Sequence, residues 1–198
     1  MLKDPFLTLL NLAGFFLNIA YTVPLLYFPA SLKAIGYSQT FSTNFIMAYS
    51  VASIVGRLGA GQLSDYIHPL NILIVCHLIT SIAIFTLWYL GSSLATYASF
   101  YVIYGLFGIN YFSLAPSMIS ARYPYKKISQ ANALSFLILG IAVFMSIPLI
   151  GFIFQKVGKR TDFSQIIIIC GVFYILSFIT FVILKLYLKK IPLPTEDD

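Results

Sequence analysis

The chain has 198 residues, 60% of them apolar and only 9% charged, with a mean hydropathy of +0.92 and a formal net charge of +6. A soluble domain carries about 45–50% apolar and about 25% charged residues, so this composition excludes a water-soluble globular protein. One membrane-spanning helix takes roughly 20 residues, and six of them with their joints use up the chain, leaving no room for a soluble catalytic domain.

Apolar stretches separated by short polar or basic joints predict an all-α membrane protein with spans at 6–30, 41–63, 70–91, 94–120, 128–154 and 164–188. The first span follows Lys3 and Asp4 and is far longer than the roughly 7–15-residue apolar core of a signal peptide, so it is expected to be retained. Pro24 and Pro29 in that span and Pro148 in the fifth predict bends, with the freed carbonyls satisfied by neighbouring helices or side chains. Residues 1–190 form the helical domain in this reading. Residues 191–198, ending Glu196-Asp197-Asp198, form a short acidic cytoplasmic tail.

Basic residues set the expected orientation, because short loops rich in Lys and Arg stay cytoplasmic. Lys3, Arg57, Arg122, Lys126, Lys127, Lys185, Lys189 and Lys190 fall on the amino-terminal side; Lys33, Lys156, Lys159 and Arg160 fall on the other. Both termini are therefore expected in the cytoplasm. The basic residues are scattered over several loops and form no continuous groove, which argues against a nucleic-acid partner. Cys76 and Cys170 lie within apolar stretches and read as buried thiols, not as a disulfide or a metal site.

Span 2 contains Ala52, Gly56 and Ala60 at four-residue spacing, a small-residue face that lets another backbone approach closely. Arg57 is the one formal charge well inside a span. Such a charge costs about 2.5–3.5 kcal/mol at mid-helix, so it faces a polar cavity or an anion, or else its long stem snorkels to the interface. Asn11, Asn18 and Tyr21 in span 1, Tyr104, Asn110, Tyr111 and Ser113 in span 4, and Asn132 and Ser135 in span 5 are the other polar candidates. Asn11 and Asn18, seven apart, share a helix face. For each of these residues, interhelical hydrogen bonding competes with solute contact as the explanation. His77 reads as structural and His68 as solvated. No His-Glu-x-x-His, no Gly-x-Ser-x-Gly and no clustered metal ligands are present, so an enzyme and a cofactor are not expected.

Pro24, Tyr27 and Pro29, then Gly36-Tyr37-Ser38, Ser53-Ile54-Val55-Gly56-Arg57, Ser113-Leu114-Ala115-Pro116 and Ile147-Pro148-Leu149-Ile150-Gly151 follow in an order and spacing with a known counterpart. The chain resembles the carboxyl-terminal six-helix half of a major facilitator transporter, and within that superfamily the fungal monocarboxylate-transporter-like proteins. Gly61-Gln62-Leu63-Ser64-Asp65 is similar to the first half of the superfamily's cytoplasmic loop signature, which implies that Gly61 and Asp65 belong to a conformational latch. The sequence departs after Asp65, with Tyr66, His68, Pro69 and Leu70 where basic residues and a glycine would stand. The acidic residue that animal monocarboxylate carriers place one turn before the span arginine is Ser53 here.

The resemblance implies transport of a small anionic solute by symport, with Arg57 at the anion and Asn18, Tyr21, Asn110 and Tyr111 lining the cavity. Such transporters bind solute between two six-helix halves near the bilayer midplane. One half per chain leaves three readings: a homodimer, a complex with a separate amino-terminal half, or a truncated product that does not transport. A membrane interaction partner of a full-length relative is the alternative from a different class. The lipid bilayer and a small-molecule solute are the expected partners, and the plasma membrane or the vacuole is the expected location.

Overall fold

The computed structural model describes residues 4–159 and 161–190; the expectations for Lys3, Arg160 and the tail 191–198 lie outside them. Asp4 opens the first helix, α1 (Pro5–Ala34), by accepting the Phe6 N–H on Oδ1 at 2.9 Å, and Pro5 stands where no N–H is needed. Gly36 then turns the chain at φ +106°, a conformation that glycine adopts without strain, and the Ser38 side chain caps α2 (Gln39–Leu63). Next come α3 (Pro69–Ala83), α4 (Leu94–Phe107), α5 (Tyr111–Arg122), α6 (Tyr125–Lys156) and α7 (Ser164–Lys190), with no strand among the described residues. Read with their continuations, these helices coincide with the six predicted stretches. Five of the rods are long and apolar enough to cross a membrane, and α2 is not among them.

Two departures from regular helices were not expected. Span 3 changes from α3 into a π-helical turn at Ile84–Tyr89, where the Phe85 ring fills the space left by Gly171 on α7. Span 4 is broken between α4 and α5. The carbonyls that the break releases find side-chain donors: Asn110 Nδ2 donates to the Leu106 carbonyl at 2.9 Å and the Tyr174 hydroxyl to the Gly108 carbonyl at 3.0 Å.

α1 is the central rod, packed on α7, α6 and α2, while α2 packs chiefly on α4 and α3 on α7. The α2–α4 crossing depends on missing side chains. A Cβ on Gly105 would lie 2.7 Å from the Ala52 Cβ, and one on Gly56 would strike the Leu106 carbonyl. Ala52 and Gly56 of the small-residue face are thus already occupied by α4 of the same chain. The carbonyl freed by Pro24 finds an outside donor as expected: the Ala20 carbonyl, deprived of its N–H by Pro24, accepts from Cys170 Sγ on α7 at 3.4 Å. The next carbonyl, Tyr21, accepts from the Tyr104 hydroxyl on α4 at 3.0 Å.

The two ends of the bundle are closed differently. At one end the Tyr123 hydroxyl donates to Asp4 Oδ2, and the Arg122 guanidinium lies 4.8 Å from the centre of the Phe6 ring. Burial and the Asp4 carboxylate hold the Tyr123 phenol above its ordinary pKa. At the other end Phe28 stacks on Tyr101 at 4.2 Å and meets Phe100 and Trp88 at 5.5 and 5.7 Å, an aromatic plug of the kind that fixes helix ends by ring packing.

Candidate functional site

Arg57 lies on α2 with its side chain exposed. Its Nη2 donates to Ser53 Oγ at 2.9 Å and its Nε to the Ser53 carbonyl at 3.4 Å, so Ser53 serves as a neutral rest for the guanidinium. Among the described residues Arg57 has no carboxylate partner. Thr43 and Ser50 precede it at seven-residue spacing, both exposed, and with Arg57 they form a polar stripe, interleaved with exposed Met47 and Ile54, down one face of α2. Their hydroxyls donate back to carbonyls of their own helix, at 2.9 Å to Gln39 and 2.8 Å to Ile46, which makes the stripe tolerable beside apolar surroundings. This stripe was missed in the sequence reading, although the spacing 43, 50, 57 was the available signal.

Tyr49, also absent from the predicted set, connects the two best-placed candidates. It is buried on α2, next to Tyr21 and within electrostatic reach of Arg57. Its ring stacks on Tyr104 at 5.6 Å. Tyr21 is half-buried on α1, with its ring edge-on to Phe112 at 5.6 Å. The structure therefore brings Arg57 and Tyr21 into one neighbourhood, floored by tyrosines from α2 and α4.

The remaining candidates sit elsewhere. Asn18 is buried one turn below Tyr21, its Nδ2 donating to the Gly14 carbonyl at 2.9 Å. Asn110 is buried at the α4–α5 break, its Nδ2 shared between the Leu106 carbonyl and Cys76 Sγ. Tyr111 fills the space above Gly14 and donates its hydroxyl to the Leu10 carbonyl at 3.3 Å, tying α5 to α1. Asn11 adjoins a cavity of about 350 Å³ between α1 and α6, and its Oδ1 has no partner among the described residues.

Gly61 and Asp65, the residues expected to form a latch, lie in the last turn of α2 and just beyond it. A Cβ on Gly61 would meet nothing within 4 Å, and Asp65 is exposed with no ion pair among the described residues. His68 is exposed and caps α3 by accepting the Leu70 N–H on Nδ1 at 3.2 Å. His77 is buried between the Tyr174 and Phe181 rings, its Nδ1 2.8 Å from the Leu73 carbonyl, the structural role expected of it. Among the described residues no group of His, Cys, Asp or Glu could hold a metal ion.

The family model described as the Major Facilitator Superfamily matches residues 1–197. Among curated relatives, an MFS transporter asaE of Aspergillus flavus is 28% identical over 170 residues, 86% of this chain and 38% of its own length. The Aspyridones efflux protein apdF of Emericella nidulans is 28% identical over 148 residues, 74% of this chain and 30% of its own length. A Fujikurins efflux protein of Gibberella fujikuroi is 25% identical over 157 residues, covering 79% and 34%. The chain thus spans well under half the length of these relatives. No solved structure matches it.

Proposed function

The chain belongs to the Major Facilitator Superfamily, and from that premise we propose that it forms one wall of a transmembrane pathway for a small organic anion, with Arg57 as the anion contact. The observation that carries this is an exposed guanidinium with only serine for a partner, on a polar stripe of a helix otherwise set among apolar rods. A charge in that position needs either water or an anion. Tyr21 supplies a further phenol next to Tyr49, which lies within electrostatic reach of Arg57, and Asn18 sits one turn below Tyr21 on α1. Asn110 and Tyr111 belong in this reading to the packing behind the wall.

The monocarboxylate-like subtype and symport rest on the sequence resemblance alone. The relatives named as efflux proteins support export as the direction instead. In a superfamily that works by rocking two six-helix bodies around a central site, the opposite wall comes from a second such body. Its identity is measurable as the mass of the detergent-solubilised particle, which separates a second copy from a different partner.

The test is flux of radiolabelled small carboxylates in vesicles carrying the protein, compared with Arg57→Ala and Arg57→Lys. Loss of about tenfold or more in the alanine variant, with partial retention in the lysine variant, is expected for a guanidinium that holds an anion. Unchanged flux in Arg57→Ala overturns the arginine assignment, and no flux in the wild type overturns transport by this chain.

A further inference from the structure

A cavity of about 300 Å³ lies where the starts of α1 and α3 meet the ends of α5 and α7. Phe6, Met118 and Leu188 give it apolar walls, and its polar members are His68, Ser117 and Arg122. The rods that meet here are long and apolar enough to cross a membrane, so their ends lie at the boundary between acyl chains and water.

Two of the polar members are left as donors by their other contacts. Arg122 is half-buried, its guanidinium 4.8 Å from the centre of the Phe6 ring, with neither an ion pair nor a hydrogen bond among the described residues. The ring contact holds the guanidinium in place and leaves its N–H groups unpaired. His68 is exposed and accepts the Leu70 N–H on Nδ1 at 3.2 Å, so the proton of the neutral imidazole is on Nε2, which is a donor. Asp4, the carboxylate at this end of α1, is committed on both oxygens, to the Phe6 N–H and the Tyr123 hydroxyl. Lys185 precedes Leu188 by three residues and adds a positive charge on the same side of α7. At these helix ends Arg122, Lys126, Lys127, Lys185, Lys189 and Lys190 outnumber the carboxylates Asp4 and Asp65.

We propose that this cavity binds an anionic glycerophospholipid, its phosphate held by the Arg122 guanidinium and the His68 Nε2–H and its apolar body against Met118 and Leu188. Two unpaired donors beside a surplus of cations select an oxyanion, and the planar guanidinium fork matches the geometry of phosphate. The apolar walls select an anion with an apolar body, which inorganic phosphate lacks. A bilayer lipid presents both parts at the depth where these helices end. The same surplus of cations disfavours a choline headgroup, whose quaternary ammonium would stand among like charges. The cavity shares no residue with the proposed anion pathway, and lipid binding is read without any transport assay.

Native mass spectrometry of the full chain in detergent tests this, with dioleoylphosphatidylglycerol and dioleoylphosphatidylcholine titrated in turn. Phosphatidylglycerol is expected to bind about tenfold more tightly, the share of one charge-assisted hydrogen bond. Arg122→Gln should remove that preference, and Arg122→Lys should retain part of it, because a point charge keeps the attraction without the two-pronged contact. His68→Asp keeps an acceptor for the Leu70 N–H while placing a negative charge at the cavity, so it should lose the preference at an unchanged melting temperature. Lys126→Gln combined with Lys127→Gln removes two exposed charges outside the cavity and should leave the preference intact. Equal affinity for the two lipids, an undiminished preference in folded Arg122→Gln or His68→Asp protein, or the same loss in the double lysine variant, each overturns the proposal. Displacement of the lipid by millimolar inorganic phosphate or by an acidic peptide overturns it as well, since the occupant would then be a free anion or a protein segment.

Discussion

Asp4 has two tasks at one carboxylate: Oδ1 caps α1 through the Phe6 N–H and Oδ2 accepts the Tyr123 hydroxyl. Removing a helix cap costs about 1 kcal/mol, so Asp4→Ala should lower the melting temperature measurably, and Tyr123→Phe should do so by a smaller amount. Thermal unfolding in detergent compares them; equal stability of Asp4→Ala and wild type contradicts the double role. Asp162 is a second capping carboxylate. Its Oδ1 accepts the Ser164 N–H at 2.9 Å at the start of α7, and these hydrogen bonds hold its pKa below the ordinary 3.8. A carboxylate with a depressed folded pKa contributes above its unfolded value and ceases to contribute as pH falls through the folded one. Protection of the Ser164 amide should therefore persist at neutral pH and fade on acidification below about pH 4, as read by amide hydrogen exchange. In Asp162→Asn that pH dependence should vanish.

Among the elements, α1 and α2 show what a single chain discloses and what it withholds. The rods were readable because apolar length is set by bilayer thickness, and Pro24 was readable as a bend whose carbonyl needs an outside donor. That the donor is Cys170, 150 positions later, was not readable, because partners across helices depend on rotation and depth that no local pattern encodes. The same holds for Asn110 and Tyr111: their polarity was visible, but whether a polar side chain faces a cavity or a neighbouring carbonyl depends on the facing helix. The break at 108–110 and the π-turn at 84–89 were hidden for a related reason, since side-chain donors from α7 and ring packing on Gly171 permit them. The small-residue face gives a sharp contrast in outcome. Gly56→Ala should destabilise the chain by roughly 1–3 kcal/mol by forcing a Cβ against the Leu106 carbonyl, while Gly59→Ala, with open space at that position, should be nearly neutral. Similar losses in both variants would argue against the close α2–α4 contact.

The molecule as a whole presents two unlike surfaces. α6 exposes Phe136, Ile141, Phe144 and Phe152, large apolar groups suited to lipid, whereas α2 exposes Thr43, Ser50 and Arg57 among apolar groups such as Met47 and Ile54. If the polar stripe borders a water-filled pathway, Ser50→Cys should react quickly with a hydrophilic thiosulfonate reagent, and Phe144→Cys should react only with a lipid-soluble maleimide. The native background is low because Cys76 and Cys170 are both buried. Equal, slow labelling at both sites would place the stripe in contact with protein or lipid instead of water. The same surface contrast explains why α2 is the rod that does not qualify as a free-standing span: what made Arg57 conspicuous in the sequence also lowers the hydropathy of its helix.

The aromatic plug around Phe28 has a spectroscopic consequence. Trp88 is the chain's one tryptophan, only 2% exposed and stacked 5.0 Å from Phe100, and its indole N–H has no acceptor among the described residues. An indole in such a dry, ring-lined setting emits toward the blue. Because it sits where α1, the π-turn and α4 converge, any motion that parts those helices admits water to the ring and shifts the emission to the red. The protein thus carries its own optical reporter of opening at that end, with no label to introduce and no second tryptophan to confuse the signal.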